Sequence, residues 1–250
     1  MGAPIPIVFI NLASDTARRE QMEAELCRAN LAGTRFDATR WTQLPPQEQA
    51  LLYSENLNSL GYHQPLVAGE KGCYASHLAA WQQLLCSEND ALVVLEDDVC
   101  LEEQLPEVLS AIRELQMPWD MVKLIGRDHR EKIRSRRPLC AGVTLVEYTR
   151  VPSSTAGYVI SRSGAQKLLA SRKPFGRPID VDLRFWWEND LTVLGVIPSV
   201  ISLAETSHSS SIGTKSSGTS WRGVWRKFAF KWALTWGNTR ANRQRARLFE

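Results

Sequence analysis

The sequence lacks any run of 18 consecutive apolar residues, so no segment of it predicts a membrane-spanning helix. Residues 1–12 have no positively charged start, and we expect no signal peptide there. Gly and Pro are sparse, at 15 and 12 of 250 residues, while 44% of the residues are hydrophobic. This composition excludes a collagen-like or disordered chain and predicts a folded domain with a large core.

Cysteine is also scarce. The five cysteines are Cys27, Cys73, Cys86, Cys100 and Cys140, and no two of them form a C-x-x-C pair. An odd number at these spacings argues against a disulfide framework and fits a reducing cytoplasm. Cys73 and His77 stand four residues apart, but the sequence offers no third soft ligand beside them. The pair therefore predicts a core-facing helix with a hydrogen-bonded histidine in preference to a zinc site.

The charge is distributed unevenly along the chain. The net charge is +3, yet residues 219–250 alone carry +7, which leaves −4 for the rest. The cations of this tail are Arg222, Arg226, Lys227, Lys231, Arg240, Arg243, Arg245 and Arg247. A mildly acidic body and a strongly basic tail must be accounted for separately.

The first half of the chain alternates between strand and helix patterns. Residues 5–12 and 91–95 are short, apolar and β-branched, as in buried strands, and helical spacing follows each of them. This alternation predicts an α/β fold with a parallel, doubly wound sheet. In the second half, residues 127–137 predict a basic loop, 180–190 a helix and 207–220 a Ser-rich linker.

Three adjacent carboxylates follow the strand at 91–95: Glu96, Asp97 and Asp98. Ligands of parallel sheets bind at the carboxyl ends of the strands, and paired carboxylates suit a hard divalent cation that keeps positions open for phosphate oxygens. The alternative is a solvated turn, or the acidic first turn of a helix at 103–115.

Several ordered motifs resemble glycosyltransferase family 25. The first motif is Ile10-Asn11-Leu12 with Arg18-Arg19 and Met22, and the second is Gly69-Glu70 with Gly72-Cys73, Ser76-His77 and Trp81. The third runs from Val94 to Val99 and contains the acidic triplet. The fourth is Gly157-Tyr158 with Ser161, Gly164-Ala165 and Pro178-Ile179-Asp180. The resemblance implies a GT-A-like, Rossmann-type domain over residues 1–212, an inverting mechanism and a galactosyltransferase activity. We expect a linker at 213–220 and a separate tail at 221–250.

The resemblance also implies a metal site in the acidic triplet. Asp98 and Glu96 would hold Mn²⁺ or Mg²⁺, and Glu96 and Asp97 would lie beside the nucleotide sugar. His208 is a possible third ligand, although an exposed loop histidine is the simpler interpretation because hard cations prefer oxygen.

The resemblance places Asn11, Leu12 and Arg18 on the nucleotide and His77 near the donor. An asparagine at a strand end can bond a uracil or ribose edge, and arginine suits phosphate. The alternative for Arg18 is a solvated helix face.

An inverting transfer also needs a general base for the acceptor hydroxyl. Asp180 is the first choice because it lies in the family-like Pro-x-Asp element, with Asp182 and then Glu188 as reserves. Helix capping by Asp180 is the alternative.

The tail predicts an amphipathic helix. Trp221, Trp225, Phe228, Trp232 and Trp236 share one helical face, with cations on both flanks. Such a helix is expected to lie on an anionic membrane surface; packing on the body or on a partner is the alternative. No nucleic-acid motif accompanies the basic residues, so we expect no nucleic-acid partner.

Together these features predict a metal-dependent enzyme that moves a hexose, galactose first, from a UDP-sugar to a lipooligosaccharide or lipopolysaccharide core saccharide. It would act in the cytoplasm, peripherally on the inner face of a bacterial inner membrane. The alternatives are a glucosyltransferase or other UDP-sugar transferase of the same fold, and a non-catalytic membrane-bound scaffold.

Overall fold

A computed structural model describes residues 3–126, 131–204 and 221–249. The strands are β1 Ile7–Asn11, β2 Gly33–Asp37, β3 Ala91–Glu96, β4 Val99–Leu101, β5 Met121–Lys123, β6 Ile133–Cys140, β7 Val143–Tyr148, β8 Gly157–Ser161, β9 Val193–Ile197 and β10 Ile201–Leu203. The α-helices are α1 Thr16–Arg28, α2 Pro46–Leu52, α3 Glu55–Gly61, α4 Ala68–Cys86, α5 Leu105–Arg113, α6 Arg162–Ser171, α7 Ile179–Asp182 and α8 Trp221–Gln244. Short 3₁₀ turns lie at Trp41–Gln43 and Trp186–Glu188.

Eight strands form one sheet in the order β2-β1-β3-β8-β5-β9-β7-β6, and β4 pairs with β10 in a small antiparallel ribbon. Parallel pairing joins β1 to β2 and β3, and β5 to β9, whereas β8 and β7 pair antiparallel with their neighbours. Six of the eight strands therefore run in the same direction. The α/β class and the mostly parallel sheet flanked by helices are confirmed.

Helices cover both faces of the sheet because alternate strand residues point to opposite sides. On one face, Phe9 and Leu95 pack with residues of α1 and α5. On the other, Val8 and Val94 pack with residues of α4 and α6. The two apolar layers leave the carboxyl ends of β1 and β3 open, so the acidic residues that follow β3 can face a ligand.

Two expectations about the second half are wrong. The basic stretch at 131–137 does not stay a loop: β6 begins at Ile133 and pairs with β7 at the edge of the sheet. An edge strand is solvated on one side, so it can carry arginines that a central strand would exclude. The expected helix at 180–190 is broken, since α7 ends at Asp182 and a separate 3₁₀ turn follows.

The tail helix packs its inner face on the body. Leu234 and Asn238 are buried, and Trp186 Nε1 donates a 2.9 Å hydrogen bond to Asn238 Oδ1. After the helix, Phe249 inserts into the apolar layer that contains α1 and α5. Arg226, expected to flank a lipid-facing stripe, instead donates to the backbone oxygen of Tyr62 at 2.6 Å.

The outer face of α8 exposes an aromatic stripe. Its members are Trp225, Phe228, Trp232 and Trp236, which are 52–69% exposed. Among the described residues, no helix is long and apolar enough to cross a membrane. The expected linker at 213–220 and the domain boundary at 212 lie outside the described residues.

Candidate active site

A cavity of about 250 Å³ opens at the carboxyl ends of β1 and β3. Six of the residues predicted from the sequence line it: Leu12, Arg18, His77, Glu96, Asp97 and Asp98. The fold brings them together because β1 and β3 are parallel neighbours and α4 crosses beside them. His208, the proposed third metal ligand, lies outside the described residues.

Asn11 lies behind this cavity and is only 1% exposed. Its Nδ2 donates to Asp97 Oδ2 at 2.7 Å and to the Asp15 backbone oxygen at 3.1 Å, while its Oδ1 accepts from Arg35 Nε at 3.1 Å. Arg18 Nη1 holds the other Asp97 oxygen at 3.1 Å. Both ends of the amide are thus occupied. The contact of Asn11 with a nucleotide stays a prediction, and the observed geometry gives this residue a supporting place beneath Asp97.

Asp98 is less well satisfied than Asp97. Its Oδ1 is buried without a hydrogen-bond partner, and its Oδ2 lies 3.7 Å from Arg18 Nη1. Burial and the neighbouring Glu96 carboxylate raise the pKa of Asp98 above its ordinary value. Asp98 lines the cavity, and a buried carboxylate oxygen without a partner fits a cation, which would supply the missing counter-charge.

Glu96 ends β3 beside His77. Thr155 Oγ1 donates to Glu96 Oε1 at 2.7 Å, and His77 Nε2 lies 3.8 Å from the same oxygen. Burial raises the pKa of Glu96, but His77, Thr155 and Lys123 outweigh it and hold that pKa below its ordinary value. Glu96 is therefore ionised at neutral pH and available as a ligand.

His77 is fixed by a chain of buried hydrogen bonds. Its Nδ1 lies 2.7 Å from Tyr158 Oη, which also accepts from Trp81 Nε1 at 2.8 Å. His77 Nε2 has no hydrogen-bond partner, and Cys73 lies one turn earlier on α4. The ligand atoms of Cys73, His77 and Glu96 all lie within 4.8 Å of one another.

The walls of the cavity meet at Gly72 on α4. A Cβ at this position would lie 2.6 Å from the Thr39 backbone oxygen, so only glycine permits this approach. Ser76 Oγ accepts a 2.8 Å hydrogen bond from the Thr39 backbone N–H, which locks the loop after β2 against the helix.

The two candidate bases occupy different environments. Asp182 is 3% exposed; its oxygens accept from Tyr74 Oη at 2.6 Å and from Arg177 Nη1 at 3.0 Å, and Arg172 Nε lies 3.0 Å away. Asp180 is half-buried, and burial raises its pKa against the opposing charge of Lys123. Neither residue lines the cavity. The negative charge of Asp180 is nevertheless close enough to contribute to the raised pKa of Cys73, which does line the cavity.

Lys123 was not predicted from the sequence. It ends β5, is 1% exposed, and its Nζ donates to the Pro152 backbone oxygen at 2.9 Å and to that of Ser154. Burial lowers the pKa of Lys123 to about 8, although Asp180 and Glu96 oppose the shift. The sequence feature that could have identified Lys123 is its position in the apolar run that forms β5, because buried lysines are rare without partners.

Comparison with known proteins identifies the family. The sequence model of glycosyltransferase family 25, described as an LPS biosynthesis protein, matches residues 5–183. Human procollagen galactosyltransferase 2 is 31% identical over 187 residues, which are 70% of this chain and 29% of that protein. The Bos taurus probable inactive glycosyltransferase 25 family member 3 is 30% identical over 185 residues, again 70% of this chain and 30% of that protein.

The chain therefore spans only about three tenths of the length of these curated relatives. Among solved structures, the glycosyltransferase GlyE of Streptococcus pneumoniae TIGR4 aligns with a TM-score of 0.41 and 12% identity, over 96% of this chain and 64% of that one. The family match covers more than two thirds of the sequence and includes the acidic triplet, His77 and Asp180. This chain belongs to glycosyltransferase family 25.

Proposed function

We propose that this protein is a glycosyltransferase that moves a hexose, galactose first, from a UDP-sugar to a saccharide acceptor. Its family membership supports the reaction class, and relatives that are named procollagen galactosyltransferases support the choice of sugar. The observation that carries the proposal concerns Asp98, which lines the cavity at the carboxyl ends of two parallel strands. Its Oδ1 is buried without a partner, and its Oδ2 lies 3.7 Å from Arg18 Nη1. Such strand ends are where α/β sheets bind nucleotides.

The donor diphosphate would lie in the cavity beside Arg18 and Asp98, both of which line it. A divalent cation, when bound by Asp98 and Glu96, supplies positive charge to the diphosphate as it leaves. Arg18 adds a guanidinium, whose planar set of N–H groups suits phosphate oxygens. Asn11 contributes indirectly, because it fixes Asp97 and so sets the position of Arg18.

Asp180 would act as the base. In an inverting transfer, the acceptor hydroxyl attacks the anomeric carbon from the side opposite to the leaving UDP, and its proton moves to the Asp180 carboxylate as the new C–O bond forms. The bond between the anomeric carbon and the diphosphate oxygen breaks in the same step. A pKa raised by burial brings Asp180 closer to the operating pH, which favours this role. Asp182, held by Tyr74, Arg172 and Arg177, would support α7 instead.

The acceptor is proposed to be a lipid-linked core saccharide of lipooligosaccharide or lipopolysaccharide. Two observations support it: the family description names LPS biosynthesis, and α8 exposes an aromatic stripe on its outer face. Exposed Lys227, Lys231, Arg240 and Arg243 flank that stripe and would attract anionic headgroups. The protein would then work at the cytoplasmic face of a bacterial inner membrane.

The decisive experiment measures UDP release and sugar transfer across UDP-galactose, UDP-glucose, GDP- and CMP-sugars, with Mn²⁺, with Mg²⁺ and with EDTA. The proposal expects metal-dependent turnover of UDP-galactose. Turnover of UDP-glucose alone would make the protein a glucosyltransferase. Absence of turnover and of binding for every donor would favour a non-catalytic scaffold; the Bos taurus relative is itself named as probably inactive.

A further inference from the structure

One cluster in the cavity wall joins Glu96 to two residues, Cys73 and His77, that the proposed donor site does not use. Cys73 Sγ, a ring nitrogen of His77 and a carboxylate oxygen of Glu96 lie within 4.8 Å of one another. The sequence pattern contains only the first two, because Glu96 stands 19 positions after His77 and reaches it through the packing of α4 against β3. The fold therefore supplies the third ligand that the sequence pattern lacked.

A second, independent observation is the state of His77. Its side chain is 1% exposed, yet its Nε2 has no hydrogen-bond partner. An imidazole nitrogen buried without a partner is costly, and in folded proteins an ordered water or a bound ion normally satisfies such an atom. Glu96 Oε1 lies 3.8 Å from Nε2, which is within ion-pair reach of a protonated imidazole but too distant for a direct hydrogen bond.

The spacing of the cluster suits a small cation. A tetrahedral zinc ion with bonds of about 2.0–2.3 Å separates its ligand atoms by roughly 3.3–3.8 Å. The distance of 3.8 Å between His77 Nε2 and Glu96 Oε1 already lies at the edge of that interval. Cys73 and His77 stand one turn apart on α4, so both side chains project from one face of the helix. Only a small inward movement of the ligand atoms would be needed.

The surrounding residues orient the ligands as they do in metal sites. A histidine that binds metal through Nε2 carries its proton on Nδ1 and donates it to a neighbouring acceptor. Here Nδ1 lies 2.7 Å from Tyr158 Oη, and a hydroxyl oxygen has two lone pairs, so it can accept from both His77 and Trp81. Thr155 Oγ1 holds Glu96 Oε1 in the same way, at 2.7 Å.

We infer that Cys73, His77 and Glu96 bind one divalent cation of the zinc class. The sulfur, nitrogen and oxygen ligand set favours Zn²⁺ or Co²⁺ over Mg²⁺, which prefers oxygen alone. Three protein ligands leave at least one coordination position, and all three residues line the cavity, so that position faces the space proposed for the donor. Glu96 is shared with the cation site proposed for the donor, but ion binding by Cys73 and His77 requires no donor turnover and is therefore measured without a nucleotide sugar.

The test uses the whole 250-residue chain, stripped with a chelator and titrated with Co²⁺ in the absence of any nucleotide sugar. Thiolate ligation gives a sulfur-to-cobalt charge-transfer band in the near ultraviolet, and a four-coordinate site gives strong visible bands. We expect both at one equivalent, with displacement by Zn²⁺ and none by equimolar Mg²⁺. Cys73→Ser should abolish the charge-transfer band, and His77→Gln should weaken Co²⁺ binding by at least about tenfold.

Cys86→Ser is the matched control, because Cys86 is an exposed thiol on the same helix, and it should keep the wild-type spectrum. Glu96→Gln provides a second test if Cys73→Ser fails to fold: it should keep the charge-transfer band and weaken binding by at least about tenfold.

Absence of the band in the wild type, or its persistence in folded Cys73→Ser, would overturn the inference. Asp98→Asn should retain the band, and its loss there would also overturn this ligand set. Donor turnover is assayed separately, so failure of this site and failure of the proposed reaction remain distinguishable.

Discussion

Asn11 Nδ2 and Asp97 Oδ2, 86 positions apart in the chain, are joined by a buried hydrogen bond of 2.7 Å. This bond ties the end of β1 to the turn after β3, and Arg18 completes the pairing of Asp97 from the first turns of α1. The acidic turn is therefore held in place from beneath by an amide that the ligand does not need to touch.

Asn11→Ala is expected to lower the free energy of unfolding by about 1–3 kcal/mol, because it removes the hydrogen bonds of the buried amide to Asp97 Oδ2 and from Arg35 Nε. Urea denaturation with a circular dichroism signal measures this. Asn89→Ala, at an exposed asparagine, is the control and should change little. If Asn11→Ala kept full stability and lost only donor affinity, Asn11 would be a direct ligand of the nucleotide, as the sequence predicts.

Asp98→Asn should lower metal-dependent turnover of UDP-galactose by about 100-fold or more, since it removes a charged partner of the cation and diphosphate. Stability should hold or rise, because the change neutralises a buried carboxylate with a raised pKa and an unpartnered oxygen. Initial rates and thermal melting are measured on the same preparation. Turnover within twofold of the wild type would remove Asp98 from the mechanism.

Asp180→Asn should reduce kcat by about 10²–10⁴-fold while the melting temperature stays near that of the wild type. In the wild type, kcat should fall as the pH drops through the raised pKa of Asp180, because the protonated carboxyl cannot accept the hydroxyl proton. The pH profile of kcat checks this. An Asp180→Asn variant with the wild-type profile would assign the base elsewhere.

Asp182→Ala should instead destabilise the fold by about 1–3 kcal/mol, because it removes the buried carboxylate that pairs with half-buried Arg172 and Arg177 and leaves Glu188 as the carboxylate they share. Tyr74→Phe, which removes one hydrogen bond to the same carboxylate, should cost only about 1 kcal/mol. Chemical denaturation of both variants measures the difference. A stable but inactive Asp182→Ala would return this residue to the candidate bases.

Trp225→Ser combined with Trp232→Ser should weaken binding to vesicles that contain anionic lipid by roughly tenfold or more. The unfolding free energy should change by less than about 1 kcal/mol, since both side chains are more than 60% exposed. Leu60→Ser, at an apolar side chain 78% exposed on α3, is the control and should bind vesicles like the wild type. Deletion of the tail is a poorer test because it removes buried Leu234 and Phe249. Equal vesicle binding by all three proteins would contradict the membrane proposal.

Much of the architecture was predictable because it depends on local pattern. The apolar runs at β1 and β3 indicate buried strands, and the acidic triplet follows the second of them directly. The strands β4 and β10 were not predictable, since three residues are too few for a periodic signal. The edge strand β6 resembles a loop in sequence because its arginines conceal the alternation.

The site was predictable only in part, for a different reason. Residues next to a strand end, such as Glu96 and Asp98, can be located from sequence order alone. The roles of Lys123, Tyr158 and Thr155 depend on contacts between segments far apart in the chain, and the sequence gives no measure of those distances. The structural role of Asp182 could not be predicted from the sequence for the same reason, since its hydrogen-bond partner Tyr74 lies 108 positions away.

The absence of a side chain at Gly72 has a consequence for how donor preference could change. The helix and the loop after β2 touch there through main-chain atoms, with Ser76 holding the loop in place. The backbone contact therefore sets the width of the cleft. Substitutions at neighbouring positions do not change that width. Donor preference would then change through exposed side chains that line the cleft, such as Arg40 and Thr42, while the width of the cleft stays the same.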